Sequence, residues 1–156
     1  PPPPPPPFFQ AEDGIRDESL RLVGSEMCIR DSDHSDITDE GLRILTTLPN
    51  LEILDLKGTQ ITDAGLIHVG RLAGLKGLYL TRTGITDAGL EKLRNLSKLE
   101  TLILWDTGIG DAGLEHLTSL KHLREVILWN TRVTQQGAEA LQTALPECDV
   151  STTMFE

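Results

Sequence analysis

From residue 37 to residue 156, hydrophobic residues recur with a period of 24 residues. The first half of each period carries apolar residues at helical spacing with charged residues between them, as at Leu90, Leu93 and Leu96, and this spacing predicts a helix. The second half alternates around Leu102 and Leu104, which predicts a short strand. The pattern therefore predicts five helix–strand units, which begin at Ile37, Ile61, Ile85, Ile109 and Val133.

A second signature, L-x-x-L-x-L-x-x-T-x-I, joins each strand to the next unit, as at Leu51, Leu54, Leu56, Thr59 and Ile61. The first three units open with I-T-D-x-G-L. These motifs resemble the leucine-rich repeat, and most closely its cysteine-containing type found in F-box proteins and many bacterial proteins, with threonine in place of cysteine or asparagine. The resemblance covers the chain after residue 36. It implies an α/β leucine-rich repeat solenoid, a horseshoe arc with a parallel sheet on the concave face and helices on the convex face.

Three columns of equivalent residues, one per unit, are explained by stacking of the units. The glycines indicate that neighbouring helices lie too close for a side chain, since glycine otherwise weakens a helix. The threonines are expected to donate their hydroxyls to buried loop backbone. The aspartates suit helix starts, and we favour that role over a calcium site. The columns are Gly41, Gly65, Gly89, Gly113 and Gly137; Thr59, Thr83, Thr107 and Thr131; and Asp39, Asp63, Asp87 and Asp111.

The first 32 residues do not share the repeat pattern. They contain seven consecutive prolines followed by Gln10–Asp17, which reads QAEDGIRD, and by Leu22–Ser32, which reads LVGSEMCIRDS. Both peptides can be back-translated into adapter sequences of DNA sequencing libraries, in the order in which those adapters occur. We therefore expect residues 1–32 to be a non-native, disordered leader, and residues 33–156 to form the repeat domain.

The two ends of the array are expected to differ. Upstream, Asp33–Asp36 resemble the tail of a lost unit, so the first face of the array is expected to be uncapped. The fifth unit keeps the opening pattern, but Gln135 and Gln136 replace aspartate and alanine, as expected for an outer unit. The last strand is expected around Asp149–Ser151.

Strand residues that point away from the leucine core are expected to form the concave surface. Trp105 and Trp129 share one column there and are the two tryptophans of the chain. Because leucines fill the core without them, an aromatic and aliphatic patch with a charged rim indicates a protein-binding surface. Alternatively, the tryptophans lean on each other or on a neighbouring loop. The predicted partner-binding residues are Trp105, Trp129, Tyr79, Ile103, Ile127, Asp55, Arg82, Asp106 and Glu125.

Composition narrows the classes of partner and chemistry. The formal net charge of −10 disfavours nucleic acid and anionic membrane surfaces, and no apolar run is long enough to span a membrane. We find no motif for a phosphate loop, a catalytic nucleophile or a metal, so we expect no catalytic residue, no cofactor and no metal site. His68, His116 and His122 are expected on helix surfaces, and Cys148 is expected to be a buried thiol. A single cysteine in the array is compatible with the cytoplasm, but the compartment stays open.

These observations predict a non-enzymatic, monomeric module that binds another protein through its concave strands. Three alternatives stay open. The resemblance alone supports a substrate-receptor segment of a ubiquitin-ligase-like, F-box-associated protein or a bacterial effector. The array is also compatible with a targeting appendage of a larger enzyme, and with a structural or cell-surface role. We expect the chain to be a fragment, so that an F-box, a catalytic domain or a signal peptide in the upstream sequence would distinguish these alternatives.

Overall fold

A computed structural model of the chain describes the backbone of residues 27–29 and, in full, residues 37–48 and 50–153. A six-stranded parallel sheet forms its centre, with the strands in chain order. Neighbouring strands pair at equivalent positions of successive units, so that Gly77 pairs with Ile53 on one side and Thr101 on the other. The predicted repeating sheet is confirmed. Its strands are β1 (Met27–Ile29), β2 (Leu51–Asp55), β3 (Gly77–Tyr79), β4 (Thr101–Ile103), β5 (Glu125–Ile127) and β6 (Asp149–Ser151).

A short helical segment precedes each of the strands β2 to β6. The predicted helices are present, but several continue as 3-10 helix, which repeats every three residues. Leu90, Leu93 and Leu96 are spaced by three, so this period keeps all of them on one side, and all are buried. The α-helices are α1 (Leu66–Val69), α2 (Asp87–Leu90), α3 (Asp111–Leu114) and α4 (Gln135–Ala144); the 3-10 helices are Gly41–Thr47, Glu91–Asn95 and Glu115–Ser119.

Leucines from the helical and strand halves of the units meet in one continuous core. Along β4, Leu102 is fully buried, whereas Thr101 and Ile103 on either side of it are half-buried. Burial of a leucine contributes about 1.5–3 kcal/mol, so the core fixes which side of each strand faces inward. We call the opposite side of the sheet, which carries Thr101 and Ile103 and their equivalents on the other strands, the sheet face.

The aspartate column joins neighbouring units. Asp63 accepts hydrogen bonds from Thr86 of the next unit, from its backbone N–H at 2.7 Å and from its hydroxyl at 2.6 Å. Asp87 and Asp111 lie in the first turns of α2 and α3, where an acidic residue was predicted. No side chain caps these two helices, so a capping role for the aspartates is wrong there, because the carboxylates bond to the following unit instead. We call these contacts inter-repeat staples; the pairs are Asp39–Thr62, Asp63–Thr86, Asp87–Gly110 and Asp111–Thr134.

The glycine column makes room for the staples. A Cβ atom at Gly89 would meet the Asp63 carboxylate and, at 2.8 Å, the Cδ1 atom of Leu66. The predicted close approach is therefore confirmed, although the group that excludes a side chain is an aspartate of the preceding unit. The predicted role of the threonine column is also confirmed, since the Thr107 hydroxyl donates to the Leu104 carbonyl at 2.7 Å. Thr59, Thr83 and Thr131 make the equivalent bond.

The last unit of the array ends as the sequence predicted, whereas the first face does not. The last strand lies where it was predicted, at Asp149–Ser151. The first face was predicted to be uncapped, and this is wrong, because β1 pairs in parallel with β2. The edge of a sheet presents unpaired N–H and C=O groups, and an extended segment can satisfy them whatever its origin. Within the leader that was predicted to be disordered, residues 27–29 form β1. Residues 1–26 and 30–32 lie outside the described residues, so the non-native assignment stays a prediction.

Candidate functional site

The sheet face carries an apolar row at the carboxyl ends of three strands. Tyr79, Ile103 and Ile127 lie side by side because the strand register pairs them in that order. Asp55 extends the row at one end and Ser151 at the other. The three apolar side chains are half-buried, so part of each stays accessible to solvent. The row therefore has an apolar centre and polar ends.

Trp105 and Trp129 lie two residues beyond this row. The parallel hydrogen bonding continues there, since the Trp105 carbonyl accepts from Arg82 and the Trp129 carbonyl from Asp106. The two rings meet edge to face, with their centroids 5.9 Å apart and their planes at 67°. Aromatic pairs favour this arrangement, which contributes about 0.5–1.5 kcal/mol beyond burial. Both tryptophans are half-buried, so the pair forms a fixed aromatic surface.

The indole N–H of Trp129 donates to the Ser151 hydroxyl at 2.9 Å. This bond orients the ring from the last strand. The alternative in which the tryptophans lean on each other is thus observed in part, because they contact each other and Trp129 also bonds to β6. A fixed orientation is compatible with binding, since a pre-ordered side chain loses little entropy when a partner docks.

The rim beyond the tryptophans is formed by residues with left-handed backbone. Arg82, Asp106 and Asn130 have φ angles of 56°, 57° and 51°, and the equivalent Gly58 has 69°. Asp106 links the row, since its Oδ2 atom lies 3.5 Å from Nε of Arg82 and its Oδ1 atom accepts from the Asn130 amide at 2.6 Å. Gly58, Asp106 and Asn130 are of the residue types that adopt this conformation most readily, and Asn130 was not among the predicted partner-binding residues.

The amino ends of the strands carry a different set of groups. Glu125 is exposed and pairs in register with Asp149, which is also exposed. In the same row two strands away, a Cβ atom at Gly77 would lie 3.5 Å from the Tyr79 ring and 3.6 Å from Cγ1 of Ile53. The missing side chain leaves a shallow gap between those two residues, and the repeat pattern did not indicate it. Asp55 is locally engaged, with Oδ1 accepting from the Lys57 backbone N–H at 3.1 Å.

The predicted site residues therefore lie on one face but not in one cluster. The register brings Tyr79, Ile103 and Ile127 together, and the ring contact joins Trp105 to Trp129. Arg82 and Asp106 pair at the rim. Asp55 lies at the β2 end of the apolar row, while Glu125 lies at the opposite edge of the face, at the start of β5. Asp55 and Glu125 are thus peripheral to the pair of Trp105 and Trp129.

A comparison with protein-family models matches residues 47–69 to the family described as Leucine Rich repeat. The matched segment contains β2, Thr62 of the first inter-repeat staple and α1. The same arrangement of strand and helix recurs in the following units. The chain therefore has the leucine-rich repeat fold. A search among curated proteins finds no match.

Two solved structures that are similar to this chain are longer than it is. One is a leucine-rich repeat protein of Leptospira interrogans, 22% identical with a TM-score of 0.53, where the match covers 69% of this chain and 26% of that one. An internalin of Listeria monocytogenes is 18% identical with a TM-score of 0.46, over 72% of this chain and 37% of that one. The first likeness concerns the fold alone. The chain spans well under two thirds of either protein.

Other candidate groups of the chain lie apart from the sheet face. Cys148 is buried, and burial followed by the charges of Asp149 and Glu125 raises the pKa of its thiol to about 11. His68 and His116 are half-buried rather than on the surface as predicted, and His122 is exposed but lies in a turn rather than on a helix. Nδ1 of His68 is buried and unbonded in the described structure. Across residues 37–48 and 50–153, no group of three or more histidine, cysteine or acidic side chains could hold a metal ion. No helix in those ranges has the length and apolar character to cross a bilayer.

Proposed function

We propose that this leucine-rich repeat protein is an interaction module, and that it binds another protein through the sheet face. The aromatic pair Trp105 and Trp129 is the central anchor, with Tyr79, Ile103 and Ile127 beside it. The single observation that carries this proposal is the edge-to-face contact of the two rings at 5.9 Å, on the side of the sheet that the leucine core does not use.

Energetics support this choice of anchors. Tryptophan and tyrosine dominate protein interfaces because they remove much apolar surface from water at a low cost in side-chain entropy. The rim of Arg82, Asp106 and Asn130 is exposed and polar, as is typical of the border of an interface. The net charge of −10 disfavours nucleic acid as the partner. The proposed role involves no catalytic step and no cofactor.

The experiment begins with a random peptide library displayed on phage and selected on the immobilised full-length chain. Binding of the selected peptides is then followed by intrinsic fluorescence. Both tryptophans of the chain belong to the proposed site, so a peptide that docks there shifts the emission to shorter wavelength and reduces quenching by acrylamide. A peptide that binds elsewhere leaves both signals unchanged.

Variants then separate binding from folding. Trp105→Ala with Trp129→Ala is expected to weaken the selected peptides by more than about a hundredfold, since each lost anchor typically costs more than about 1–2 kcal/mol. Trp105→Phe with Trp129→Phe keeps two aromatic rings and is expected to retain most of the affinity, with circular dichroism and urea unfolding measured on both variants. Selected peptides that bind both variants as tightly as the parent chain would contradict the proposal.

A further inference from the structure

A second surface departs from the repeat, on the helical side of the second and third units. At the seventh position of the units, Arg43, Glu91, Glu115 and Glu139 are charged, but the second unit has Ile67. Ile67 is 45% exposed and is the exposed large hydrophobic residue of the described structure. An apolar residue at a position that is charged in every other unit is not explained by the packing of the repeat.

A glycine three residues later lets the third unit come close beside Ile67. At the tenth position the other units carry threonine, arginine or glutamine, whereas the second unit has Gly70. A Cβ atom at Gly70 would overlap the backbone carbonyl oxygen of Lys92, so the two units approach each other too closely for a side chain. A groove of about 320 Å³ lies between the two units, and both Ile67 and Gly70 line it.

The groove is positively charged in an otherwise acidic protein. It is lined by Ile67, Gly70, Arg71, Glu91, Lys92, Arg94 and Asn95, which include three cations and one carboxylate. Glu91 already has two partners, with its carboxylate 3.3 Å from Nζ of Lys92 and 3.8 Å from Nη1 of Arg94. Arg71 is exposed and forms no ion pair with the carboxylates that the structure describes. The groove thus has a net positive charge and an unused guanidinium.

We infer that this groove, which we call the Ile67 groove, binds an acidic segment of a partner protein. An apolar side chain of that segment contacts Ile67 above Gly70, and a neighbouring carboxylate pairs with Arg71. Charge complementarity supports this occupant, because the three cations and one carboxylate that line the groove attract a segment with carboxylates of its own. The site is separate from the sheet face, so this inference does not depend on the proposed function.

The same phage-displayed random library tests the Ile67 groove through a different variant. Peptides are selected on the parent chain and then sorted by whether they bind Ile67→Glu. Glutamate is the residue that three other units carry at this position, so this variant retains the fold. We expect a class of peptides that Ile67→Glu rejects, enriched in an apolar residue next to aspartate or glutamate, and still bound by the chain with both tryptophans replaced by alanine.

Affinities of that class give the quantitative test. Ile67→Glu is expected to weaken binding by at least about tenfold, since it removes the apolar contact and adds a repelling charge. Arg71→Gln is expected to weaken it by about twofold to fivefold, and added salt should reduce this difference. Arg132→Gln removes an equally exposed arginine outside the groove and is expected to have no effect.

Three results would overturn the inference. The first is that no selected peptide distinguishes Ile67→Glu from the parent chain. The second is that the peptides rejected by Ile67→Glu carry no excess of acidic residues, or bind Arg71→Gln as well as they bind the parent. The third is a concentration-dependent dimer of the parent chain that Ile67→Glu abolishes, measured by sedimentation velocity, because the groove would then belong to a contact between two copies.

Discussion

One carboxylate oxygen of Asp87 accepts a hydrogen bond of 2.7 Å from the backbone N–H of Gly110, and Gly110 has no hydroxyl to donate to the other oxygen. In the other three staples a threonine supplies both donors, as Thr134 does for Asp111 at 2.8 and 2.7 Å. The staple between the third and fourth units therefore has one hydrogen bond fewer than its equivalents.

Replacing Gly110 by threonine should complete this staple. The backbone at Gly110 is extended, and a Cβ atom there would lie 3.6 Å from the nearest heavy atom, an oxygen of Asp87, so a side chain fits without strain. We expect Gly110→Thr to stabilise the fold by about 1 kcal/mol, through the added hydrogen bond and a less flexible unfolded chain. Urea unfolding measures the gain. Gly110→Ala is the matched control, because it supplies the Cβ atom without the hydroxyl; equal gains for both variants would exclude the hydrogen bond as the cause.

Acid should weaken the staple of Asp111. Hydrogen bonds from the Thr134 hydroxyl and then from its N–H hold the pKa of the Asp111 carboxyl below its ordinary value. A carboxyl with a lowered pKa in the folded state adds stability above its unfolded pKa of about 3.9, and this contribution is lost as the pH falls through the folded pKa. We expect Asp111→Asn to be less stable than the parent chain at neutral pH, and the difference to shrink below about pH 4.

Urea unfolding of both proteins at a series of pH values provides the measurement. Glu147→Gln, at an exposed position before the last strand, removes the same charge and controls for the overall field of the protein. A stability difference between the parent chain and Asp111→Asn that stays constant down to about pH 3 would show that the carboxylate charge does not stabilise the staple.

A methyl group at Gly89 should destabilise the array although alanine favours helices. The added Cβ atom would meet the Asp63 carboxylate and the Cδ1 atom of Leu66, so the staple to Thr86 must shift. We expect Gly89→Ala to lower the free energy of unfolding by about 1–3 kcal/mol, against a gain of about 1 kcal/mol in helix propensity. Gly77→Ala is the matched control, since its Cβ atom would have no neighbour closer than 3.5 Å. Similar losses in both variants would contradict the steric explanation.

The thiol of Cys148 should be almost inert in the folded protein. It is 2% exposed and its pKa is raised to about 11, so at about pH 8 only about one molecule in a thousand carries the reactive thiolate. In a Cys28→Ser variant, Cys148 is the remaining cysteine of the chain. We expect it to react with an aromatic disulfide reagent more than about a hundredfold more slowly in buffer than in concentrated urea. Comparable rates in the two solvents would show that the end of the array is open.

The period of the sequence accounts for most of the fold. A repeat of 24 residues sets the register of the parallel strands, and the same period is sufficient to place Trp105 beside Trp129. The period does not show in which direction a carboxylate turns. Asp63 was therefore predicted to lie at the start of its own helix as a cap, although it bonds to Thr86 of the next unit. The strand β1 was excluded because it lies outside the period, and a sheet edge accepts an extended segment without regard to sequence pattern.

The candidate site was predictable as a set of residues but not as a geometry. The edge-to-face angle of the rings and the bond from Trp129 to Ser151 depend on side-chain rotation, which the repeat does not determine. The left-handed backbone was not evident at Arg82, because only the equivalent residues Gly58, Asp106 and Asn130 are of types that favour it. The Ile67 groove is lined by Ile67 and Gly70, which depart from the repeat, so the repeat pattern does not predict it.

The staples also bear on how such an array can change its length during evolution. Each staple joins residues 23 positions apart, and strand partners lie 24 apart. If recombination between misaligned repeats of the gene removes or adds one whole unit, every aspartate still meets a donor in the unit that now follows it. The bonding between units therefore imposes no particular number of repeats, and selection can adjust the extent of the sheet face without first repairing the fold.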